Sequence, residues 1–243
     1  MKKILIVGGT SGIMLSCLER LLKDKYKITL TYSNKKSLKK IPSKFKNKLN
    51  LNYVELDLNN SDKNITNTLK EKNIQADIII NAVGGSFGIK EYPFNVEDWK
   101  KLLNLNILKH ILINNFFIKK MIKKKFGRIL FFSTSAVEDK NASIAYSASK
   151  AFLENYVIKS ASKFGKHNIL INCLKTSIVA AKNNNWFKAI KQKPAVVDKI
   201  AKKLISVEKI GTGDDLVDFI RLAVSPKNRF MNGSIFRIDG GLK

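Results

Sequence analysis

Tyr146 and Lys150 stand four residues apart in the segment YSASK. On an α-helix, this spacing brings a phenol and an ammonium group to the same face. A free tyrosine has a pKa of about 10 and exchanges protons poorly at neutral pH. A nearby cation favours the phenolate, so we expect Lys150 to lower the pKa of Tyr146. The pair is a candidate general acid/base, although the same spacing is common on exposed helix faces.

A glycine-rich turn separates the first apolar run from the first helical pattern. Residues 3–7 predict a buried strand, residues 8–12 the turn, and residues 13–22 a helix. Backbone N–H groups at a helix start favour an anion, and glycines let a ligand approach the backbone. The turn predicts a phosphate-binding loop, although an ordinary strand–helix turn has a similar composition.

Strand and helix patterns alternate along the whole chain. This alternation predicts an α/β fold with a single doubly wound parallel sheet and helices on both faces. We expect one domain over residues 1–243, with residues 176–194 as its least regular segment. The other predicted strands are 27–32, 53–56, 77–83, 128–133, 169–174 and 234–238, and the other predicted helices are 99–125, 145–164 and 214–223.

Composition restricts the possible partners and the compartment. The chain carries 45 Lys and Arg against 19 Asp and Glu, a formal net charge of +26. Because the lysines are spread along the chain, we expect no specific nucleic-acid site, although a basic surface attracts anionic substrates. Cys17 and Cys173 lie in apolar segments, and no stretch reaches the roughly 18 apolar residues of a membrane helix. We expect a cytoplasmic protein with reduced cysteines, no membrane partner and no metal site.

Further short motifs follow the glycine-rich turn in a fixed order. They lie at or near the ends of predicted strands, where parallel sheets bind ligands. The motifs are Gly8-Gly9-Thr10-Ser11-Gly12-Ile13, Asp57-Leu58, Asn81-Ala82-Val83-Gly84, Asn104-Leu105-Asn106, Gly127-Arg128-Ile129 and Ile238-Asp239-Gly240-Gly241.

These motifs and the Tyr146–Lys150 pair resemble the short-chain dehydrogenase/reductase family over essentially the whole chain. The resemblance implies an NAD(P)-binding Rossmann-like fold. It also implies an oxidoreductase that moves a hydride between a nicotinamide cofactor and a carbonyl/alcohol pair. A catalytically weak nucleotide-sensing or scaffold protein on the same fold is the alternative.

The resemblance implies four catalytic residues. Tyr146 would protonate the carbonyl oxygen, while Lys150 would lower the Tyr146 pKa and hold the nicotinamide ribose. Thr134 would polarise the substrate oxygen, and Asn106 would hold a water that links Lys150 to solvent. Without the family match, we would interpret Asn106 as a polar residue that satisfies a helix irregularity.

The chain departs from the family pattern at several positions. Thr134 stands where the family has a serine, and a one-residue shift would make Ser133 or Ser135 the functional hydroxyl. The other departures, which put cofactor binding in question, are Met14 for the third loop glycine, Thr176-Ser177 for Pro-Gly, and Ala181 for threonine.

The end of the second predicted strand bears on cofactor choice. An acidic side chain there usually binds the ribose 2′-hydroxyl of NAD. Residues 31–36 contain no acid, so NADP(H) is favoured and NAD(H) stays open. The predicted cofactor-binding residues are Gly8, Thr10, Ser11, Gly12, Ile13, Ser33, Asn34, Lys35, Asp57, Leu58, Asn81, Ala82, Val83, Gly84, Tyr146, Lys150 and Ile178.

A substrate lid is expected at about residues 176–199, where Trp186 and Phe187 either cover a ligand or anchor the lid. The expected partner is a small carbonyl/alcohol substrate. It is either a 3-oxoacyl group, carried by a carrier protein, or a sugar or other small polar metabolite. The apolar stretches 107–117 and 151–158 suit a homo-oligomer, a dimer or a tetramer, although a core face explains them as well.

Overall fold

The computed structural model describes residues 1–10, 12–89, 95–140, 142–182 and 184–243. Its strands pair in parallel, as the alternating pattern predicts. The strands are β1 (Lys3–Val7), β2 (Lys27–Tyr32), β3 (Leu51–Glu55), β4 (Ile78–Asn81), β5 (Gly127–Thr134), β6 (Ile169–Thr176), β7 (Val179–Ala180), β8 (Gly211–Thr212) and β9 (Ile235–Ile238).

Seven of these strands form one sheet in the order β3-β2-β1-β4-β5-β6-β9, and β7 pairs with β8 separately. The chain runs outward from β1 to β3 and then returns to place β4 on the other side of β1. This reversal leaves a crevice at the carboxyl ends of β1 and β4, where open parallel sheets bind ligands. The predicted doubly wound α/β fold is confirmed.

Helices occupy the connections between the strands. A π-helix (Asn104–Leu108) joins α5 to α6, so the predicted helix over 99–125 contains an irregular turn. The α-helices are α1 (Gly12–Lys23), α2 (Lys35–Leu38), α3 (Ser43–Lys46), α4 (Asp62–Glu71), α5 (Val96–Leu103), α6 (Lys109–Lys124), α7 (Ile144–Phe164), α8 (Asn185–Gln192), α9 (Pro194–Leu204) and α10 (Gly213–Val224).

Alternate residues of β1 enter two different cores. Ile4 and Ile6 pack in a cluster that contains buried residues of α1 and α10. Leu5 and Val7 pack in a second cluster with α6 and α7. Each fully buried aliphatic side chain stabilises the fold by about 1.5–3 kcal/mol, so both faces of the sheet hold it in place.

Several parts of the chain differ from the sequence expectation, among them α2, α3 and α9, where no helix is predicted. Residues 176–194 are more regular than expected, because β7 and α8 lie within them. The sequence does not predict helix α4. This helix is mostly polar, and Ile65 and Leu69 are its two buried residues. Within the described ranges, no helix is long and apolar enough to cross a bilayer. Cys17 and Cys173 are buried free thiols.

Candidate active site

Tyr146 and Lys150 lie on the first turns of α7. Ser143 caps this helix by accepting a hydrogen bond from the Tyr146 backbone N–H, which fixes where the helix begins. Both side chains line a cleft together with Thr134, the last residue of β5. The Lys150 Nζ donates to the Phe132 carbonyl oxygen at 2.8 Å. The helix and the strand end thus bring a phenol, an ammonium and a hydroxyl to one wall.

Burial changes the acidity of both α7 side chains. It lowers the pKa of Lys150 to about 8, because a buried ammonium loses hydration. Burial also raises the pKa of Tyr146, and this effect outweighs the Thr134 hydrogen bond, which lowers it. The expected lowering of the Tyr146 pKa is therefore wrong for this arrangement. The physical reason is that desolvation dominates, while the Lys150 ammonium is engaged by the Phe132 carbonyl.

Neighbouring hydroxyls at the end of β5 face different partners. Ser133 Oγ donates to Glu154 Oε1 at 2.5 Å, and Glu154 also accepts from the buried Lys175. Thr134 hydrogen-bonds with the Tyr146 phenol and accepts from a backbone N–H in the following turn. Ser135 is buried at the edge of the same cleft. Of the three, Thr134 is therefore the hydroxyl in contact with Tyr146.

Asn106 lies fully buried in the π-helix. Its Nδ2 donates to the Leu102 carbonyl at 3.1 Å and to the Gly85 carbonyl at 3.0 Å, while its Oδ1 accepts from the Gly85 N–H at 3.0 Å. The Asn106 side chain thus hydrogen-bonds a backbone carbonyl of the irregular helix and also holds the backbone that follows β4. A Cβ placed on Gly84 would approach Lys150 Nζ to 2.8 Å and Asn106 Oδ1 to 2.9 Å, so a side chain there would displace the ends of these two site residues.

The crevice has two halves of about 560 Å³ each. The β2-side half lies against the ends of β2 and β3, and the β5-side half lies against the end of β5 and the start of α7. Ala82, Val83 and Gly84 line both halves, so the chain leaving β4 is their common floor.

The glycine-rich turn closes one side of this floor. Gly8 has a φ of +82°, and a Cβ there would approach Val83 Cγ2 to 2.2 Å. The Gly8 N–H donates to Thr31 Oγ1 at 2.9 Å, a contact that the sequence pattern did not indicate. Gly8 and Thr10 line the β2-side half, and Gly12 and Ile13 line the β5-side half. Ser11 lies outside the described residues.

The sequence predicts Lys35 as the cation of the cofactor site after β2, but the lysine of this segment that lines the cleft is Lys40. Ser33 lines the β2-side half together with Ser37 and Lys40, two residues that the sequence reading missed. Among the described residues, the lining includes neither Asn34 nor Lys35. Asn34 caps α2 and accepts from the Ser37 N–H at 2.9 Å, and Lys35 is exposed on the first turn of that helix. Lys40 follows the one-turn helix α2, and the chain there returns to the cleft.

Asp57 and Leu58 line the β2-side half as well. The Asp57 Oδ1 accepts from the Asn59 backbone N–H at 3.0 Å, which holds the carboxylate at the cleft edge. Asn81 is buried beneath the floor, outside the described lining, where its amide contacts His110 and Asn114.

The departures from the family pattern have structural partners. Met14 is 1% exposed and packs in the α1–α10 core, while its edge borders the β5-side half. Ser177 Oγ donates to the Asp239 carbonyl at 2.7 Å, which ties the end of β6 to the segment after β9. Ala181 is buried in the same core as Met14. The Lys182 carbonyl accepts from the Gly12 N–H at 2.9 Å, so this segment touches the glycine-rich turn.

The outer wall of the β5-side half comes from residues beyond β6. Ile178, Trp186, Leu204 and Leu242 give it an apolar surface, and Asp139 adds a carboxylate. Trp186 also packs against a small cluster around β7 and α9, so it lines the cleft and anchors this segment.

Comparison with known proteins agrees with this geometry. The family model for short chain dehydrogenase matches residues 2–191. The chain is 26% identical to 3-oxoacyl-(acyl-carrier-protein) reductase FabG of Rickettsia typhi, over 99% of this chain and 96% of that protein. Among solved structures, ElxO with NADP bound is similar with a TM-score of 0.85 and 25% identity, covering 99% of this chain and 98% of that one. A 4-hydroxyisoleucine dehydrogenase complexed with NADH has a TM-score of 0.84 and 26% identity, with the same coverage.

The chain belongs to the short-chain dehydrogenase family. It is an oxidoreductase that acts on CH–OH or C=O groups with NAD(P).

Proposed function

We propose that the crevice binds NADP(H) and that Tyr146 protonates a substrate carbonyl as it is reduced. The observation that carries this proposal is the convergence of Tyr146, Lys150 and Thr134 on one wall, opposite a glycine-lined floor. When bound, the nicotinamide supplies or accepts the hydride. The glycines at positions 8 and 84 let Val83, Lys150 and Asn106 pack closely around the floor of the crevice.

Tyr146 is the proton donor in this scheme. Burial raises the pKa of its phenol, so Tyr146 carries its proton at neutral pH and can deliver it to a developing alkoxide. Thr134, which hydrogen-bonds to the phenol, would donate a hydrogen bond to the substrate oxygen and polarise the carbonyl without giving up its proton. The Lys150 ammonium lies over the Tyr146 ring. Asn106 holds the Gly85 backbone through two hydrogen bonds.

The proposed preference for NADP(H) over NAD(H) depends on the β2-side half. Ser33 and Lys40 offer a hydroxyl and an ammonium at the end of β2, groups that suit a 2′-phosphate, while the Ser37 hydroxyl donates to the Asn34 carbonyl at 2.7 Å. Relatives are divided, since one similar structure holds NADP and another NADH. Titration of the purified protein with NADPH and NADH, followed by nicotinamide fluorescence, tests this choice. Tighter NADPH binding supports the proposal, and equal affinities contradict it.

Two substrate classes have separate support. The FabG relatives favour a 3-oxoacyl thioester. The likeness to 4-hydroxyisoleucine dehydrogenase, and a carboxylate at Asp139 in the β5-side half, favour a small hydroxylated or amino-bearing carbonyl compound. NADPH oxidation measured with an acetoacetyl thioester and with keto sugars and keto amino acids distinguishes them, because each class predicts turnover with its own set.

A homo-oligomer is proposed through the outer faces of the π-helix, α6 and α7. Leu108, Ile144, Phe152 and Ile158 are exposed apolar side chains on these elements. Light scattering after size-exclusion chromatography tests the proposal. A dimer or tetramer supports it, and a monomer at micromolar concentration contradicts it.

A further inference from the structure

Three side chains join the π-helix and α6 to the chain that leaves β4. They follow one another at four-residue spacing along the helix, whereas their partners follow at two-residue spacing in the opposite direction. We call this set the polar ladder. Its pairs are Asn106 with Gly85, His110 with Val83, and Asn114 with Asn81.

The spacing of the ladder follows from backbone geometry. Four residues of an α-helix rise about 6 Å, and two residues of an extended chain rise about 6.6 Å. One helical stripe can therefore contact alternate residues of an antiparallel segment over several steps. Asn106 forms the outer pair next to the cleft, and Asn114 forms the inner pair beneath β4.

The middle pair supports the floor of the cleft. His110 Nε2 lies 2.8 Å from the Val83 carbonyl oxygen. Val83 lines both halves of the crevice. Its side chain also packs against Gly8, where it is the nearest neighbour of an added Cβ. Movement of the Val83 backbone would therefore displace the floor and the glycine-rich turn together.

His110 is fully enclosed, and burial lowers its pKa to about 4. A neutral imidazole has one N–H, and a carbonyl oxygen can only accept. We assign the proton to Nε2, which then donates to the Val83 carbonyl at 2.8 Å. The Leu105 carbonyl is the weaker of the two backbone acceptors near the ring, and Lys150 is the charged neighbour that also lowers the His110 pKa.

With the proton on Nε2, His110 Nδ1 must accept a hydrogen bond. Asn81 lies 3.1 Å away and supplies the donor when its amide is turned by 180°, a choice that the hydrogen-bond network decides. If the Asn114 amide is turned as well, its Nδ2 donates a hydrogen bond to the Asn81 side-chain oxygen. In the opposite orientation, this buried Nδ2 has no partner among the described residues. The hydrogen bonds then run in one direction, from Asn114 through Asn81 and His110 to Val83, and polarise one another.

We propose that His110 is a positioning residue of the cofactor site, which holds the Val83 carbonyl and thereby the floor at residues 82–84. This role rests on the proposed binding of NADP(H) in the crevice. His110 acts through the backbone, while Tyr146, Lys150 and Thr134 face the reacting groups.

Two substitutions at His110 separate positioning from packing. In His110→Gln, the terminal amide reaches about as far as Nε2 and can still donate to Val83. In His110→Asn, the shorter amide reaches only the Nδ1 side, towards Asn81. We expect His110→Gln to bind NADPH within about three-fold of the unchanged protein and His110→Asn to bind it about ten-fold more weakly. Affinity is measured by fluorescence titration, with thermal unfolding recorded for each variant.

Equal NADPH affinity in all three proteins, or an equal loss in both variants, would overturn the positioning role. If a variant does not fold, ¹⁵N NMR of the unchanged protein reports the His110 tautomer directly. A proton on Nε2 supports the ladder, and a proton on Nδ1 overturns it. Failure of the unchanged protein to bind either cofactor would instead count against the proposed function, because the tautomer does not depend on cofactor binding.

Discussion

The Nζ of Lys150 lies 5.8 Å from the centroid of the Tyr146 ring. Burial acts on the two groups in opposite directions, because it lowers the pKa of Lys150 to about 8 and raises the pKa of Tyr146. In this arrangement the phenol keeps its proton, and the ammonium loses its proton more readily than an exposed lysine does. Tyr146 therefore holds its proton more tightly than a free tyrosine does, and transfer of that proton depends on the negative charge that develops on the carbonyl oxygen as hydride arrives.

The buried ammonium of Lys150 makes stability depend on alkaline pH. Its pKa is 10.5 in the unfolded chain and about 8 in the fold, so the unfolded state binds more protons between these values. Stability therefore rises with pH across this window, and the full burial penalty acts below pH 8. We expect Lys150→Met to be at least as stable as the unchanged protein at pH 7. This advantage should shrink by about 2–4 kcal/mol towards pH 10.5.

Urea unfolding at several pH values between 7 and 10.5 measures this change. Lys159→Met is a matched control, because Lys159 lies exposed on the same helix. A stability difference between Lys150→Met and the unchanged protein that stays constant with pH would contradict the account of Lys150.

Lys40 should determine the preference for NADPH. Both Lys35 and Lys40 are exposed, but of the two only Lys40 belongs to the described lining of the β2-side half. We expect Lys40→Glu to weaken NADPH binding about ten-fold or more and to leave NADH binding nearly unchanged, because a charge-assisted phosphate contact is lost. Lys35→Glu changes the net charge equally and should have little effect. Equal losses in both variants would point to a general field instead of a specific phosphate contact.

Thr134 should be the hydroxyl that polarises the substrate. We expect Thr134→Val to lower kcat/KM about 100-fold and Thr134→Ser to retain most activity, because serine keeps the donor. Ser133→Ala removes the bond to Glu154 and should cost about 1 kcal/mol of stability with little loss of turnover. Steady-state kinetics and urea unfolding give both readouts. The opposite pattern, with Ser133 essential and Thr134 dispensable, would move the active hydroxyl by one residue.

Much of the fold follows from the sequence because its strands are strongly apolar. Ile78, Ile79 and Ile80 have no exposed surface, and such runs suit a parallel sheet that is covered on both faces. The glycine-rich turn and the Tyr146–Lys150 spacing also lie within one local element each. Local patterns of this kind locate strands, helices and short motifs.

Contacts between distant elements could not be predicted in the same way. The approach of Lys40 to the cleft depends on the one-turn helix α2, whose four residues leave too short a pattern to detect. The bond from Ser133 to Glu154 joins β5 to α7, and the ladder through His110 joins α6 to β4. The raised pKa of Tyr146 depends on burial, which the spacing of Tyr146 and Lys150 does not report.

Met14 should contribute to stability more than to cofactor binding. Its side chain is 1% exposed in the α1–α10 core. We expect Met14→Ala to lower the free energy of unfolding by about 2–4 kcal/mol, because truncation leaves a cavity. Urea unfolding measures this loss, and NADPH titration should give an affinity within about three-fold of the unchanged protein. A large gain in NADPH affinity with unchanged stability would mean that Met14 crowds the cofactor instead.

Tyr146→Phe tests the proposed chemistry most directly, because it removes one hydroxyl from a partly buried ring. The measurement is NADPH oxidation with a substrate from the carbonyl screen, alongside NADPH titration and thermal unfolding of the same variant. The proposed role of Tyr146 predicts that turnover falls by at least about 100-fold, while NADPH affinity and the unfolding temperature stay close to those of the unchanged protein. Turnover within a few-fold of the unchanged protein would contradict that role.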